Sequence, residues 1–229
     1  YIKIINSGKK WSSKCYRNEL ITMTEKITNE NLELYAKKVQ EDIKYGNEGI
    51  LIEDSIKKYP YNTDISLVAM KVCLIDITNG TNLSRNLGKE GGLYKLSKKI
   101  TTSNFDERVK NGNISIVSEL AMWTKKEFGK NLFSFITKYC LYHNNKYYKK
   151  DDFAIYDSVV AKNLHKYISK EEYHNLTNKT LRKNSFSKLK NEYNYQEYMK
   201  IIDFIIKKNN LTVDYPHRKL DWYIWYKNR

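Results

Sequence analysis

The sequence is short of chain-breaking residues, with 2 prolines and 9 glycines in 229 positions. Cysteine is scarce too. Cys15, Cys73 and Cys140 are too few and too scattered for a disulfide framework, a four-thiolate zinc site or an iron–sulfur cluster, and they fit a reducing cytoplasm. No stretch approaches the roughly 18 uninterrupted apolar residues of a spanning helix, so an integral membrane protein is not expected. The opening residues, YIKIINSGKK, lack the apolar core of a secretory leader. They also lack an initiator Met, as expected of a trimmed or incomplete N-terminus. Acidic residues are the last deficit: 26 Asp+Glu stand against 41 Lys+Arg, for a net charge of +15 and a pI near 9.4.

What is present is apolar and aromatic. Hydrophobic residues make up 41%, with 20 Tyr and 4 Trp, which excludes wholesale disorder. The length suits one domain, or two small lobes sharing a core. The positive charge points to an anionic partner, most often nucleic acid, because neutralising phosphates releases counterions. Abundant Lys and Asn are also what an AT-rich genome supplies to a protein surface.

The periodicity is helical almost throughout, and sustained alternation is absent, so an all-α fold is expected. Residues 29–44 place Leu32, Leu34, Tyr35, Val39 and Ile43 largely on one face behind Thr28 or Asn29 as cap. Gly46 is expected to break the chain before a second piece over 48–59. Residues 64–78 are apolar nearly all round and read as a central buried helix, ended by Asn79-Gly80. A loop over 87–92 precedes helices over 93–100, 114–127 and 132–143. A helix capped by Asp157 and running to Tyr167 follows, then helices near Glu171, over 195–208 and over 216–227. Pro216 is suited to a first turn.

The most informative stretch is 129–164, GKNLFSFITKYCLYHNNKYYKKDDFAIYDSVVAKNL. A Gly turn feeds a helix with Lys138 on its first turns, and a loop returns the chain to a second helix at Asp157. The two side chains lie 19 positions apart on a helix–loop–helix path that can bring both to one cleft. Here the sequence resembles the helix-hairpin-helix DNA glycosylases and glycosylase/lyases. In the bifunctional members a lysine in the second hairpin helix is followed about 19 residues later by a carboxylate opening the next helix. Phe153 to Val160 looks like the family's apolar-Asp-polar-x-Val segment, and Lys138 falls where its nucleophile would be. The stretch also looks like a group of uncharacterised bacterial proteins sharing Ser-Phe-x-x-Lys-Tyr followed by Ile-Tyr-Asp-Ser. The family's hairpin usually carries two glycines around an apolar residue. This chain has Gly129 followed by Lys130-Asn131-Leu132, with Lys130 placed to substitute a side-chain contact to phosphate.

The resemblance implies two helical lobes around a basic cleft, and a DNA glycosylase excising a flipped damaged or modified base, with AP-lyase activity left open. Lys138 would attack the sugar C1′, and Asp157 would stabilise the oxocarbenium-like transition state or take a proton. Neither metal nor organic cofactor is implied; the partner would be double-stranded DNA, with no membrane involved. Gly129, Lys130, Lys146, Tyr147, Tyr148, Lys149 and Lys150 are the candidate nucleic-acid contacts, lysines and tyrosines interleaved as phosphate contact with stacking requires. Two further basic groups, around Lys179 to Lys190 and Lys207 to Lys219, bracket this segment.

Plainer readings stand beside these. Asp157 is a sound N-cap by itself, Lys138 one of many lysines, and the aromatics from Phe133 to Tyr142 core residues. The alternative function is a non-catalytic nucleic-acid-binding protein on the same fold, or a helical interaction protein. His143, His165, His174 and His217 lack metal-ligand spacing and read as structural or surface groups, and Cys140 reads as packing. Gly88 to Gly92 has no Gly-Lys-Ser/Thr ending, so no nucleotide loop is expected there. Asp76 and the polar residues after it, Thr78, Asn79, Thr81 and Asn82, read as a helix end, and in a two-lobed helical fold they are also candidates to border the cleft. Asp221-Trp222-Tyr223-Ile224-Trp225 reads as packing of a C-terminal helix.

Overall fold

A computed structural model describes residues 26–83, 87 and 91–229. The N-terminal stretch with Cys15, and the Gly88 to Glu90 part of the loop over 87–92, lie outside the described residues. Those residues form twelve α-helices and one short 3-10 turn, with no strand. The fold is all-α. Among them, no helix is long and apolar enough to cross a membrane.

The first break falls at Asp42, not at Gly46. Helix α1 (Asn29–Glu41) starts behind Thr28, whose hydroxyl accepts from the Asn31 amide, and α2 (Ile43–Lys58) starts behind Asp42, whose carboxylate accepts from the Lys44 and Tyr45 amides. A carboxylate satisfies orphan first-turn amides, which is a stronger local signal than a glycine that a helix can tolerate. Gly46 sits inside α2 because a Cβ there would run into the Gln40 carbonyl at the α1–α2 corner. Helix α3 (Ile65–Asn79) is capped by Asp64 and ends at Gly80, in the left-handed region at φ 58°.

Five helices follow in the middle of the chain: α4 (Gly92–Thr101), α5 (Phe105–Lys110), α6 (Ser115–Phe128), α7 (Phe133–Lys146) and α8 (Ser158–Asn163), the last running into a 3-10 turn at Leu164–Lys166. The chain ends with α9 (Lys170–Thr177), α10 (Ser185–Asn191), α11 (Tyr195–Lys208) and α12 (Pro216–Asn228). Helices α5 and α10 are too short to show a period in the sequence.

The central helix is α7 rather than α3. Every residue from Phe135 to Asn145 is buried, polar ones included, whereas α3 leaves Met70 and Ile77 exposed. Burying the polar groups of α7 requires partners. Asn144 exchanges hydrogen bonds with Asp152, and the His143 Nδ1 donates to the Tyr139 carbonyl at 2.8 Å. His143 is wholly buried, so desolvation holds its pKa well below the usual value and the ring is neutral. Tyr139 donates to Asn62, which Asp106 holds in turn. Lys71, 1% exposed, donates to the carbonyls of Tyr59 and Tyr61, and burial brings its pKa down to about 8. Helix α2 packs on α7, α1 packs on α12, and α12 packs on α8. That arrangement places the start of α8 and one face of α12 beside α7.

Candidate active site

The loop from α7 to α8 is fixed by α11. Ala154 N–H donates to the Tyr195 hydroxyl, which donates back to the Ala154 carbonyl at 2.6 Å, and Tyr198 donates to the Ile155 carbonyl at 2.6 Å. Tyr156 N–H donates to Thr137 Oγ1 on α7 at 3.1 Å. An extended segment pinned on both sides delivers Asp157 to one place. Its carboxylate then does two things. Oδ1 accepts from the Val159 amide at 2.7 Å as the cap of α8, and Oδ2 lies 3.7 Å from Lys138 Nζ. The cap reading and the pair reading of Asp157 are therefore compatible. Lys138 is 7% exposed and is not a solvated-edge lysine.

Both groups face a cavity of about 410 Å³, walled by α2, the end of α3, α7 and α12. Such a volume lies within the range of small-molecule sites. Its charge is nearly balanced, with Lys138, Lys146 and Arg218 against Glu48, Glu53, Asp157 and Asp221. Lys146 Nζ pairs with Glu53 at 2.6 Å, and Lys57 with the same carboxylate at 2.8 Å. Burial works against the Glu53 charge, but the two lysines outweigh it and bring its pKa to about 2.

The wall opposite Lys138 comes from α12, and sequence reasoning missed it. Arg218 Nη1 donates to Asp221 Oδ2 at 3.2 Å, and Nη2 donates to the Tyr142 hydroxyl at 3.3 Å, which donates to Asn79 Oδ1 at 3.1 Å. The guanidinium carbon lies 5.0 Å from the Tyr142 ring centre and 4.6 Å from that of Trp222, within cation–π reach of both. Arg218 Nε is buried without a hydrogen-bond acceptor. Burial, opposed by the Arg218 charge and helped by that of Asp157, raises the Asp221 carboxyl to about 7. The signal was present in the spacing. Arg218, Asp221, Trp222 and Trp225 stand at i, i+3, i+4 and i+7, one stripe of a helix, while Leu220, Tyr223 and Ile224 pack on the other side. The packing reading holds for Tyr223 and Ile224. Trp225 does both, packing against the core and against the Tyr45 ring at 4.8 Å while lining the cavity, and Asp221 and Trp222 belong to the cavity wall.

His217 locks this wall in place. Its backbone N–H and ring Nδ1 both reach Asp151 Oδ2, at 2.8 and 2.9 Å, and Nε2 reaches Asp203 at 2.7 Å. Burial disfavours the imidazolium, but these two carboxylates outweigh it and raise the pKa to about 9. The clamp joins the α7–α8 loop, α11 and the first turn of α12.

The remaining expected contacts are dispersed. Gly129 caps α6 at φ 65° and Lys130 is exposed beside it. Tyr147 bonds Tyr61 at 3.1 Å and its ring meets that of Tyr148 edge-on. Lys149 is exposed at φ 57°, and Lys150 Nζ donates to the Lys110 carbonyl at 2.6 Å. Of these loop residues only Lys146 lines the cavity. The polar residues around Asp76 serve a helix end and border the cavity: Asp76 accepts from Thr81 and from the Leu83 amide, while Thr78 and Asn79 line the cavity. Among the described residues, no group of three or more His, Cys, Asp or Glu is placed to hold a metal.

Residues 31–152, just over half of the 229, match the model of a protein family described as the HI_0787_N N-terminal domain, and the chain belongs to that family. The chain is also 35% identical over 121 residues to a Haemophilus influenzae protein described as uncharacterized. That match covers 52% of this chain and 48% of the other, so the chain spans about half the length of the curated relative it matches. No solved structure matches. The family segment contains Lys138, Tyr142, Lys146 and Glu53, whereas Asp157 and the α12 stripe lie beyond it, so the cavity is shared between the two parts.

Proposed function

We propose that this protein is a helix-hairpin-helix DNA glycosylase with AP-lyase capacity, its two helical lobes meeting at the cavity of Lys138 and Asp157. The observation that carries the reading is the approach of these two side chains, 19 residues apart in sequence and 3.7 Å apart in space, on a cavity large enough for a flipped base. Helices α6 and α7 supply the hairpin. Gly129 between them has open space where a Cβ would stand, so backbone can approach a phosphate, with exposed Lys130 alongside.

The chemistry balances with these groups alone. The C1′–N bond breaks and its electron pair leaves with the base. The developing positive charge on the sugar is stabilised by the Asp157 carboxylate. The Lys138 ammonium gives a proton to Asp157, and its lone pair bonds C1′. Asp157 passes that proton to the departed base, and the second N–H proton goes to the ring oxygen as the C1′–O4′ bond breaks, which leaves a protonated Schiff base. The Asp157 carboxylate, free again, takes a C2′ proton, and the 3′ phosphate oxygen leaves with its electron pair. The net charge of +15 favours duplex DNA through phosphate neutralisation, outside the balanced cavity.

Borohydride trapping on a duplex with one abasic site tests this. A covalent adduct in the wild type that disappears in Lys138→Ala is expected. An adduct that persists in Lys138→Ala, or no adduct in the wild type, removes the lyase assignment and leaves a monofunctional enzyme or a non-catalytic DNA binder.

A further inference from the structure

On the reading of this cavity as the receptor of a flipped base, we infer that Arg218 and Asp221 select bases with a lactam edge, a ring carbonyl beside a ring N–H. Guanine, hypoxanthine, uracil, thymine and their oxidised forms present that edge; adenine and cytosine present an amino group beside a bare ring nitrogen.

Two unused hydrogen-bonding positions carry the argument. Arg218 lines the cavity and spends two of its five guanidinium N–H groups, one on Asp221 and one on the Tyr142 hydroxyl. Its Nε–H is closed in without an acceptor, so the side chain is under-satisfied, and an unused Nη N–H is the donor for a ligand carbonyl oxygen. One helical turn away, Asp221 gives Oδ2 to Arg218, while Oδ1 accepts no hydrogen bond among the described residues. An ionised carboxylate can only accept, so it fits a ring N–H and repels the lone pair of an unprotonated ring nitrogen. Donor and acceptor are set side by side on one helix, and Arg218 is held by Tyr142 and Trp222. An adenine or cytosine edge meets the pair with both polarities reversed. Trp222 and Trp225 add flat apolar surface to the same wall.

The protonation of Asp221 gives the selection a pH signature. The groups facing it are Arg218, Asp157 and Lys138, and its carboxyl titrates near about 7. Below that pH it carries an O–H and can serve an amino-type edge as well. Selectivity is therefore lower at pH 6 than at pH 8.

The test uses the full chain and single-modification duplexes, with 8-oxoguanine, hypoxanthine and uracil on one side and 3-methyladenine, 8-oxoadenine and 5-methylcytosine on the other. Excision of the best lactam base at least about 10-fold faster than any amino-type base is expected at pH 8, with the ratio falling at pH 6. Asp221→Asn, whose amide both accepts and donates, should bring that ratio towards one. Equal excision of both classes, or a ratio unmoved in Asp221→Asn, overturns the inference while adduct formation on the abasic duplex upholds the enzyme. Absence of the adduct, by contrast, fails the enzyme reading and leaves the pocket to be read by nucleosides. Quenching of tryptophan emission by inosine but not adenosine then supports the lactam edge, and equal or absent quenching refutes it.

Discussion

Two of the cation–carboxylate pairs that face the cavity are built in opposite ways. Lys138 and Asp157 come from different elements, lie 3.7 Å apart, and leave both groups beyond hydrogen-bond distance of each other. Arg218 and Asp221 are one turn apart on a single helix, 3.2 Å apart and buried. The loose pair leaves the lysine nitrogen without a direct bond to the carboxylate, which is already committed to a helix cap. The tight pair fixes a donor beside an acceptor. Looseness suits groups that must change bonds; a fixed pair suits groups that must recognise.

The comparison breaks most visibly at Lys138. In Lys138→Ala the borohydride adduct should fall to background. In Asp157→Asn it should form about 10²-fold more slowly, with thermal stability almost unchanged because Asn caps as well as Asp. A large stability loss in Asp157→Asn would show that the charge serves folding and not chemistry. The next effect belongs to the tight pair. Removing one partner of a buried pair strands the other, so Arg218→Met should cost about 3 kcal/mol in urea denaturation at pH 8. At pH 5 the loss should be smaller, because Asp221 is then protonated. The double change Arg218→Met with Asp221→Leu should recover most of it.

The clamp behind the tight pair has its own pH window. The folded-state pKa of His217 is raised to about 9, above an unfolded value near 6.5, so its contribution is full below pH 6.5 and lost as pH rises towards 9. Asp221, raised from 3.8 to about 7, lowers stability in the same direction between those two values. Unfolding free energy should therefore decline from pH 6.5 to 9 by on the order of 3 kcal/mol, and His217→Gln should flatten that limb. A flat wild-type profile would show that the ring is not charged. The smallest effect is at the edge of the network. Tyr142→Phe removes a bond to Asn79 and one from Arg218 and should cost about 1 kcal/mol, read as a shift in urea midpoint.

The loose pair was legible in the sequence and the tight pair was not, for a physical reason. Asp157 announces itself as a cap before Ser158-Val159-Val160, and Lys138 stands out on an apolar helix. Arg218 sits in a basic group and Asp221 among aromatics, where charge and packing each give a sufficient local account. Only the three-and-four spacing marks them as a stripe. Helix limits were legible where caps are strong, as at Asp64 and over 195–208, and missed at Asp42, where a glycine drew the break four residues late. The burial of α7 could not be read from its sequence, because Asn144, Asn145 and Lys138 look polar until their partners are known. His217 reads from sequence as a structural or surface histidine and is structural, but its two carboxylate partners, distant in sequence, were not legible.

The wall that completes the cavity is made by α12, and the bond from Arg218 to Tyr142 spans 76 residues. On a translating ribosome at about 5–20 residues per second, Tyr142 emerges roughly 4–15 s before Arg218. For that interval the nascent chain carries Lys138 without the wall that faces it. The order of synthesis thus leaves the Lys138 side of the cavity open until α12 has been made and has docked.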